Sequence, residues 1–415
     1  MEKIKAVRGM HDILPDKSEE WDEIEKKIKE TAKLFGFEEI RTPIVEESSL
    51  FERSVGNSTE IIEKQMYSFL DKKGRKLALR PEGTAPIVRA FIESNLYQSQ
   101  KISKFFYYGP MFRYDRPQKG RYREFYQFGA ELFGGSHPFF DGEIIHLLFC
   151  ILNRIKIQQT YFEINSIGCI SCQQKFSEIL KNYIIIKKNS LCQDCKIRIE
   201  KNPLRVMDCK NNSCKEIVKN GPKISDYLCN DCKDHFEKVK VYLETFEIPY
   251  KTNPYLVRGL DYYTRTIFEV FVENEVNAIA GGGRYDNLVE ELGGPSIPAV
   301  GFAIGMERIF DLILHLQKKG PPIYVFLFGE NVKIPGIKII QKIREIGLKI
   351  KVDYENRSLK SYLKIADKEH ANWCIIIGEN ELNNNQLLLK NLKDGSQQFI
   401  RIEEIDSKLK QLLKC

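Results

Sequence analysis

A strand, a basic loop and a second strand between Tyr107 and Phe133 constrain this chain more than any other segment. Aromatic and apolar residues flank a turn that is broken by Pro117 and Gly120, which is typical of a long β-hairpin. The first strand brings Arg113 to the edge of the loop. The loop itself carries four further cations, Arg116, Lys119, Arg121 and Arg123. We therefore expect a hairpin with a positively charged tip.

The returning strand of this hairpin alternates in a way that collects polar groups on one face. With a period of two, Gln127, Gly129 and Glu131 share that face. The apolar residues expected to anchor the strand are Phe125, Phe128 and Leu132. We call this polar strand face the floor of the hairpin. Next to a positively charged loop, it suits the binding of a small zwitterion beside a polyphosphate. The alternative is an amphipathic hairpin whose polar face is merely solvated.

Five further motifs, read together with the hairpin, resemble those of a known family. They are Lys5-Ala-Val-Arg-Gly-Met-His-Asp-Ile-Leu-Pro15, Leu79-Arg-Pro-Glu-Gly-Thr84, Leu256-Val-Arg-Gly-Leu-Asp-Tyr-Tyr263, Gly281-Gly-Gly-Arg-Tyr-Asp286 and Gly301-Phe-Ala-Ile-Gly-Met-Glu-Arg308. The hairpin resembles the second signature motif of class II aminoacyl-tRNA synthetases. The whole set resembles the histidyl-tRNA synthetases, and the segment 258–263 is the part that distinguishes them from other class II synthetases.

The resemblance implies an α+β fold, with a mostly antiparallel sheet flanked by helices. Residues 1–165 and 251–318 both carry these motifs, so they are expected to form one catalytic domain. Residues 166–250, rich in cysteine and lysine, are expected to be a small inserted domain with its own core. Strands and helices alternate after the Leu316–Pro322 linker, which predicts an α/β domain over 322–415. This last domain resembles the anticodon-binding domain of several class II enzymes.

The local pattern predicts several individual elements. Asp16 and Glu19 form a plausible capping box for a helix that ends at Gly36. Residues 37–45 are predicted to be an edge strand containing Pro43, which in the family would face a twin subunit in a homodimer. In the last domain the predicted strands are 323–328, 350–353 and 373–377, and the predicted helices are 337–346 and 359–368.

The resemblance implies that histidine is activated by ATP with Mg²⁺ and then transferred to tRNA(His). An amino-acid carboxylate is already ionised at pH 7, so the first step needs charge neutralisation and alignment rather than a general base. Arginine suits this need, because its guanidinium is always charged and binds phosphate in a fork. Arg113 and Arg258 are expected to bracket the α-phosphate, and Arg308 is expected to contact the γ-phosphate and the adenine. For each single arginine, a surface salt bridge is the alternative.

The histidine site is expected to combine carboxylate, amide and phenol groups. Glu82, Gly83 and Thr84 belong to the segment expected to hold the α-ammonium group, with Gln127 completing it. Glu131 is expected to accept a hydrogen bond from the imidazole, between Tyr262 and Tyr263. Tyr285 either joins this pocket or is a core residue. The glycines 281–283 either make room for a ligand or form a structural bulge.

The loop residues Arg116 and Gln118 are expected to meet the acceptor end of the tRNA. By resemblance, this loop recognises an extra guanosine at the 5′ end of tRNA(His), and Arg and Gln can read base edges. The net charge of +7 fits a polyanionic partner without requiring one.

Eight of the eleven cysteines fall in pairs within the insertion. The pairs are Cys169/Cys172, Cys192/Cys195, Cys209/Cys214 and Cys229/Cys232. Two four-cysteine zinc sites are one interpretation of this spacing, although the sequence leaves open which pairs combine. Reduced cysteines packed as small apolar residues are the other. The resemblance does not imply a structural metal.

The absence of an apolar leader or a long apolar run predicts a cytoplasmic protein with no membrane partner. A second functional hypothesis is a catalytically inactive, histidine-binding regulatory subunit of histidine biosynthesis. It is disfavoured because Arg113, Arg258, Arg308 and a C-terminal domain are all present. Another class II synthetase of the same subgroup would not explain the motif 258–263.

Overall fold

The computed structural model describes residues 3–56, 59–313, 323–353, 355, 357–369 and 371–413. The chain divides into two compact units, Met1–Leu316 and Gln317–Cys415. The expected linker 316–322, and with it the predicted boundary between 318 and 322, lies outside the described residues.

The strands of the described residues, in chain order, set the labels used below. They are β1 Glu38–Glu39, β2 Val45–Glu47, β3 Ser68–Leu70, β4 Lys76–Leu79, β5 Ser103–Phe112, β6 Glu124–Phe133, β7 Thr160–Ser166, β8 Tyr250–Thr252, β9 Thr264–Val272, β10 Ala280–Arg284, β11 Ala299–Gly305, β12 Ile323–Leu327, β13 Ile350–Asp353, β14 Trp373–Ile377, β15 Gln386–Asn391 and β16 Gln397–Arg401.

The α-helices of the described residues are numbered in the same way. They are α1 Pro15–Leu34, α2 Ser48–Val55, α3 Thr84–Glu93, α4 Phe139–Arg154, α5 Ile170–Ile185, α6 Gln193–Lys201, α7 Asn212–Lys219, α8 Asn230–Thr245, α9 Leu288–Glu291, α10 Met306–Leu312, α11 Lys333–Glu345, α12 Leu359–Lys368, α13 Glu379–Asn383 and α14 Ile405–Leu413.

An eight-stranded sheet in the order β1-β5-β6-β11-β10-β9-β7-β8 forms the centre of the first unit. The six central strands pair antiparallel, and only the short edge strands β1 and β8 pair in parallel. The predicted mostly antiparallel sheet is therefore confirmed. The predicted hairpin is β5–β6, with Gln127 opposite Gly109 and Glu131 opposite Phe105.

The two faces of this sheet have different coverings. Helices α1, α4 and α8 pack on one face, where Ile28, Leu148 and Val239 join Phe128 and Leu132 in a buried cluster. Ile24 and Ala32 of α1 belong to the same cluster. The other face carries a second buried cluster that contains residues of the strands, of α3 and of the inserted helices. The inserted segment 166–250 therefore shares this core instead of having one of its own.

Two local predictions were wrong. Helix α1 begins at Pro15 with Leu14 at the N-cap position and no side-chain capping bond there; proline suits the first helical position, so Asp16 lies inside the helix instead of capping it. Residues 37–45 do not form one strand, because β1 joins the large sheet and β2 pairs with β4 in a separate small sheet. Pro43 lies in the irregular stretch between them.

The second unit contains a five-stranded sheet in the order β13-β12-β14-β15-β16. Strand β12 pairs in parallel with β13 and β14, and β14, β15 and β16 pair antiparallel. The three predicted strands and two predicted helices are all present, and the β15–β16 hairpin was not predicted. Among the described residues, no helix is both long and apolar enough to span a bilayer.

Candidate active site

A cavity of about 850 Å³ lies on the sheet face opposite α1 and α4. Its lining includes most of the site residues expected from the sequence, namely Glu82, Thr84, Arg113, Gln127, Glu131, Arg258, Tyr262, Tyr263, Tyr285 and Arg308. These residues come from five separate motifs spread over more than half of the chain. The structure therefore brings the predicted arginines and the predicted polar floor together in one place.

Arg113 and Arg258 are held at the cavity by fixed partners. The Nε of Arg113 donates to the Pro81 carbonyl at 2.9 Å, and its guanidinium lies 5.3 Å from the centre of the Phe125 ring. Phe125 was expected to be an apolar anchor of the hairpin, but its position in the alternation places it on the polar face beneath Arg113. Arg258 forms an ion pair with Glu269. Burial lowers the pKa of Arg113, yet an arginine remains charged near neutral pH.

Arg308, the third predicted arginine, connects the basic loop to the sheet. Its Nε donates to the Gly120 carbonyl at 3.1 Å, and its Nη1 donates to the Ala278 carbonyl. Gly120 has a φ of 68° and lies against the Arg308 side chain. The glycine therefore provides both the turn of the loop and the space for the arginine.

Glu131 is the most deeply buried carboxylate of the cavity, with 1% of its surface exposed. It accepts hydrogen bonds from the Thr84 hydroxyl at 2.7 Å and from the Tyr285 hydroxyl. Burial raises the pKa of Glu131 to about 8, although the two hydroxyl donors favour its ionised form. Gly301 lies directly beneath it, where a Cβ would collide with the carboxylate. Tyr285 therefore belongs to the pocket and not only to the core.

Glu82 and Gly83 organise the start of helix α3. Both oxygens of Glu82 accept backbone N–H groups, from Thr84 at 2.7 Å and from Ala85 at 2.8 Å. Burial raises the pKa of this carboxyl. Gly83 does not line the cavity but lets the Tyr107 ring approach, because a side chain at this position would collide with that ring.

Three buried polar atoms of cavity-lining side chains have no hydrogen-bond partner among the described residues. They are the Oε1 of Gln127, the Nε of Arg258 and the hydroxyl of Tyr107. Leaving buried polar groups unpaired costs about 1–3 kcal/mol each. Such atoms are typical of a site that a ligand completes.

Tyr262 and Tyr263 form an aromatic wall. Both are buried, with ring centres 4.7 Å apart, and Tyr262 packs edge-on against Tyr285 at 5.6 Å. The backbone of Tyr263 is tied to the inserted segment, since the Gln173 amide donates to its carbonyl at 3.0 Å.

At each of the glycines 281–283 a side chain would collide with neighbouring protein atoms, so these positions bring parts of the protein close together. The register between β9 and β10 shifts between Gly283 and Arg284, and the extra residues lie on β9 and not among the glycines. Gly281 makes room for the Arg258 guanidinium, which occupies the space a side chain would take. The space above Gly281 is thus filled by an arginine of the site.

Arg116 and Gln118, the two residues expected to meet tRNA, are exposed on the loop and do not line the cavity. Gln118 forms a backbone bridge with Arg121. Arg121 does line the cavity, and it pairs with Asp115 at 3.1 Å.

Sequence reasoning missed three features of the cavity. Tyr107 lines it, although it opened the predicted hairpin without a role. Glu269 lies opposite Gly281 in the sheet, so only the strand pairing reveals that it meets Arg258. Arg205 and Asp261 pair across 56 residues, and no local sequence signal connects them.

The eight insertion cysteines form two clusters of four. The outer cluster consists of Cys169, Cys172, Cys229 and Cys232, and the inner cluster consists of Cys192, Cys195, Cys209 and Cys214. Within each cluster all Sγ atoms lie within 4.8 Å of one another. The first pair thus combines with the last pair, and the two middle pairs combine with each other.

A buried ion pair joins the sheet to the inserted segment behind the cavity. Arg284, next to Tyr285, binds both oxygens of Asp141 on α4, and His235 on α8 also contacts Asp141 at 3.2 Å. Although burial would raise it, Arg284 and His235 hold the pKa of Asp141 below its usual range. This pair is structural, since its members lie away from the cavity lining.

The antiparallel sheet, with arginines from the hairpin, from 258 and from the start of α10 converging on one cavity, is the arrangement of a class II aminoacyl-tRNA synthetase. The family model for histidyl-tRNA synthetase matches residues 9–172 and 211–309, and the model for the anticodon binding domain matches 323–412. The chain belongs to the histidyl-tRNA synthetase family.

Individual relatives agree with this assignment. The chain is 48% identical to the histidine–tRNA ligase of Thermodesulfovibrio yellowstonii, over 97% of each chain. It is 46% identical to the histidine–tRNA ligase of Halothermothrix orenii, over 99% of this chain and 100% of the relative. The crystal structure of apo S. aureus histidyl-tRNA synthetase is similar with a TM-score of 0.83, at 34% identity, covering 98% of this chain and 100% of that one.

Proposed function

We propose that this chain activates L-histidine with ATP and transfers it to tRNA(His). The observation that carries the proposal is the convergence of Arg113, Arg258 and Arg308 with the Glu131 pocket in one cavity. Mg²⁺ enters the reaction with ATP, as part of the substrate. The protein acts in the cytoplasm, where translation consumes the product.

Activation joins the histidine carboxylate to the α-phosphorus of ATP and releases diphosphate. Arg113 and Arg258 hold the α-phosphate and the attacking carboxylate together, and Arg308 holds the far end of the triphosphate. The hydrogen bond of Arg113 to Pro81 and those of Arg308 to Gly120 and Ala278 pre-orient these two guanidinium groups. Little reorganisation is therefore needed when charge develops in the transition state. No side chain has to remove a proton in this step.

Histidine is recognised through its ring and its ammonium group. Glu131 accepts the imidazole N–H, and Tyr262 and Tyr263 enclose the ring. Gln127, with its unpaired Oε1, and the Glu82–Thr84 segment receive the α-ammonium group. An apolar competitor would leave these buried groups unpaired, which corresponds to discrimination of roughly 10⁴ or more.

The tRNA meets the enzyme at two places in this proposal. Arg116 and Gln118 are exposed on the hairpin loop and read the acceptor end. The second unit matches the anticodon binding domain over 323–412 and contacts the anticodon. The regulatory-subunit alternative is less supported, because near full-length relatives are histidine–tRNA ligases.

We further propose that both cysteine clusters hold structural zinc. Tetrahedral zinc with sulfur at about 2.3 Å requires sulfur atoms roughly 3.8 Å apart. The Sγ atoms of Cys169 and Cys172 are 3.6 Å apart, and those of Cys192 and Cys209 are 3.7 Å apart. Backbone N–H groups donate to the sulfurs, from Cys229 to Cys172 at 3.2 Å and from Cys192 to Cys214 at 3.3 Å. Such donors are typical of thiolate ligands.

The homodimer expected from the sequence also remains a proposal. Its support is a set of exposed apolar side chains on and beside the small sheet, Ile44, Val45, Phe69 and Leu70. Sedimentation equilibrium would give twice the chain mass for a dimer, and a monomer at micromolar concentration would contradict this part of the proposal.

The test of the proposed function is aminoacylation. The purified chain, ATP, Mg²⁺ and labelled histidine are incubated with a tRNA(His) transcript, and a transcript of another tRNA is the control. Acid-stable label on tRNA(His) alone is the expected result. No transfer to tRNA(His) under conditions where histidyl-adenylate forms would overturn the transfer step. The exposed loop is tested by Arg116→Ala, which should lower charging while leaving adenylate formation intact.

A further inference from the structure

The segment 191–214, which the inner cluster closes into a loop, forms one wall of the active-site cavity. Cys192, Asp194, Arg198, Arg205 and Asp208 all contribute to the lining. The outer cluster contributes none of its cysteines to that lining. The inner cluster therefore borders the cavity and the outer cluster does not, although each contains four cysteines.

One side chain of this wall binds the histidine-specific motif directly. Arg205 donates from Nε at 3.0 Å and from Nη2 at 2.8 Å to the same oxygen of Asp261. The Asn202 amide donates to that oxygen as well, at 3.0 Å. Asp261 lies between Arg258 and Tyr262, so these bonds fix the backbone from which the proposed catalytic arginine and the aromatic wall project.

The ion pair between Arg205 and Asp261 is partly shielded from solvent, so it contributes to the stability of this wall. Arg205 is 9% exposed, and the side chain of Asp261 is 27% exposed. Fully exposed ion pairs contribute about 0–1 kcal/mol, whereas partly buried charge-assisted pairs contribute more. The apolar residues of the wall, Ile199 and Val206, also belong to the same buried cluster as Tyr262.

The position of Arg205 depends on the inner cluster. It lies in a short 3₁₀ turn, Pro203–Val206, that ends three residues before Cys209. The nine-residue helix α6 precedes this turn, and its N-cap residue is Cys192. Elements this short are not stable alone and depend on tertiary contacts, which here include the packing of Ile199 and Val206 and the close approach of the four inner-cluster Sγ atoms. Residues 173–210 lie outside the match to the family model, whereas Asp261 lies inside it.

We propose that zinc in the inner cluster holds Arg205 against Asp261 and thereby organises segment 258–263 for histidine binding. Arg205 is a positioning residue in this proposal, not a catalytic one. Zinc supplies no chemistry to the reaction and acts only by fixing the wall. The inference rests on the proposed function, because its effect is measured on histidine activation.

The first experiment compares Arg205→Ala with the unchanged chain, both zinc-loaded and full length. ATP–diphosphate exchange is measured against histidine concentration, together with zinc content and hydrogen exchange of the peptide covering 258–263. The matched control is Lys181→Ala, which removes an exposed pair with Glu200 on the same inserted segment. We expect Arg205→Ala to raise the histidine KM by about tenfold, to change kcat by less than threefold, and to speed hydrogen exchange at 258–263. Zinc content should not change.

The second experiment removes zinc with a chelator from the unchanged chain and from Arg205→Ala. If zinc acts through Arg205, its removal raises the histidine KM in the unchanged chain but adds little in the variant. Equal increases in both chains would overturn the coupling. Arg205→Lys keeps the positive charge but cannot donate to Asp261 from two nitrogens, so its histidine KM should lie between those of the unchanged chain and Arg205→Ala. This variant provides a second test if the alanine variant is unstable.

The outcomes separate this inference from the proposed function. If the unchanged chain exchanges no amino acid, the proposed function fails. If it exchanges histidine normally and Arg205→Ala has an unchanged KM and unchanged hydrogen exchange, only the positioning role fails. If Cys195→Ser binds as much zinc as the unchanged chain, the inner cluster is not a zinc site.

Discussion

The hairpin floor of the cavity and the cysteine-rich wall 191–214 border the same space but are ordered by different means. On the floor, strand pairing fixes the side chains: Glu131 faces the cavity because it is two strand positions from Gly129 and four from Gln127. On the wall, short helices are joined by a four-cysteine cluster and by individual side-chain bonds such as Arg205 to Asp261.

This difference determines how each region responds to change. A strand-held residue keeps its place when a neighbour is altered, because the backbone ladder of five antiparallel pairings remains. A wall held by a few side chains loses its geometry when one of them is removed. We therefore expect substitutions on the floor to change the chemistry with the fold intact, and substitutions at the wall to change positioning or stability.

The largest expected effect concerns Arg258, whose guanidinium lies over Gly281 of the sheet and whose segment contacts the wall through Asp261. Arg258→His should slow adenylate formation by about a thousandfold, because the second guanidinium at the α-phosphate is lost. Thermal unfolding should change little. The control is Arg154→His on the exposed side of α4, which should leave exchange unchanged. Near-normal diphosphate exchange in Arg258→His would remove this arginine from the mechanism.

The next effect tests the buried ion pair that joins the large sheet to helices α4 and α8. Asp141→Asn removes the buried carboxylate from Arg284, leaves only the partly exposed Asp286 as its ionic partner, and should lower the free energy of unfolding by about 3 kcal/mol. Denaturant titration gives this value. Glu30→Gln, which weakens the exposed pair of Glu30 with Arg154, should cost less than about 1 kcal/mol. Equal losses in the two variants would mean that the buried pair does not hold sheet and insertion together.

A smaller effect is expected for substrate binding on the floor. Glu131→Ala should raise the histidine KM about thirtyfold at pH 8.5, where the Glu131 carboxyl with its pKa of about 8 is mostly ionised, since a hydrogen bond to a charged group contributes about 2 kcal/mol. The ATP KM should change much less. Exchange kinetics with varied histidine and fixed ATP measure both constants. An unchanged histidine KM would place the imidazole site elsewhere.

The smallest effect is a pH dependence of the same carboxyl group. With a pKa of about 8 in the empty site, Glu131 is protonated near pH 7 and ionises as the pH rises. Its ionised fraction grows from about a tenth at pH 7 to about three quarters at pH 8.5, so the histidine KM should fall roughly eightfold over this interval. The imidazole of free histidine, whose unperturbed pKa is about 6.5, is mostly neutral over this interval. Glu131→Gln should abolish this slope, and a slope that persists would assign the titration to another group.

The same raised pKa has a consequence for stability in the empty enzyme. Between about pH 4.5 and pH 8 the folded chain retains a proton on Glu131 that the unfolded chain has lost. Stability from this group is therefore present at low pH and declines as the pH rises through that window.

The side-chain arrangement of the floor could be predicted from the sequence, whereas that of the wall could not. The alternation in β6 predicted which of its polar residues face together, and strands β13 and β14 and helix α12 lie where the pattern placed them. Phe125 does pack against a buried cluster, but on the cavity side of the sheet and not on the side of Phe128 and Leu132, because it shares the alternation of Gln127 and Glu131.

The wall could not be predicted in this way. Four cysteine pairs allow more than one combination, and only the packing of α5 to α8 selects the one observed. The bond from Arg205 to Asp261 joins residues with no shared periodicity. The capping prediction failed at Asp16 for a local reason, since Pro15 already begins the helix.

The most direct test of the account is ATP–diphosphate exchange with each of the twenty amino acids, on the purified chain without tRNA. We expect exchange with histidine alone, because the arginines and the Glu131 pocket act on one substrate in one cavity. Saturable histidine binding without exchange for any amino acid would contradict it and would favour a regulatory subunit.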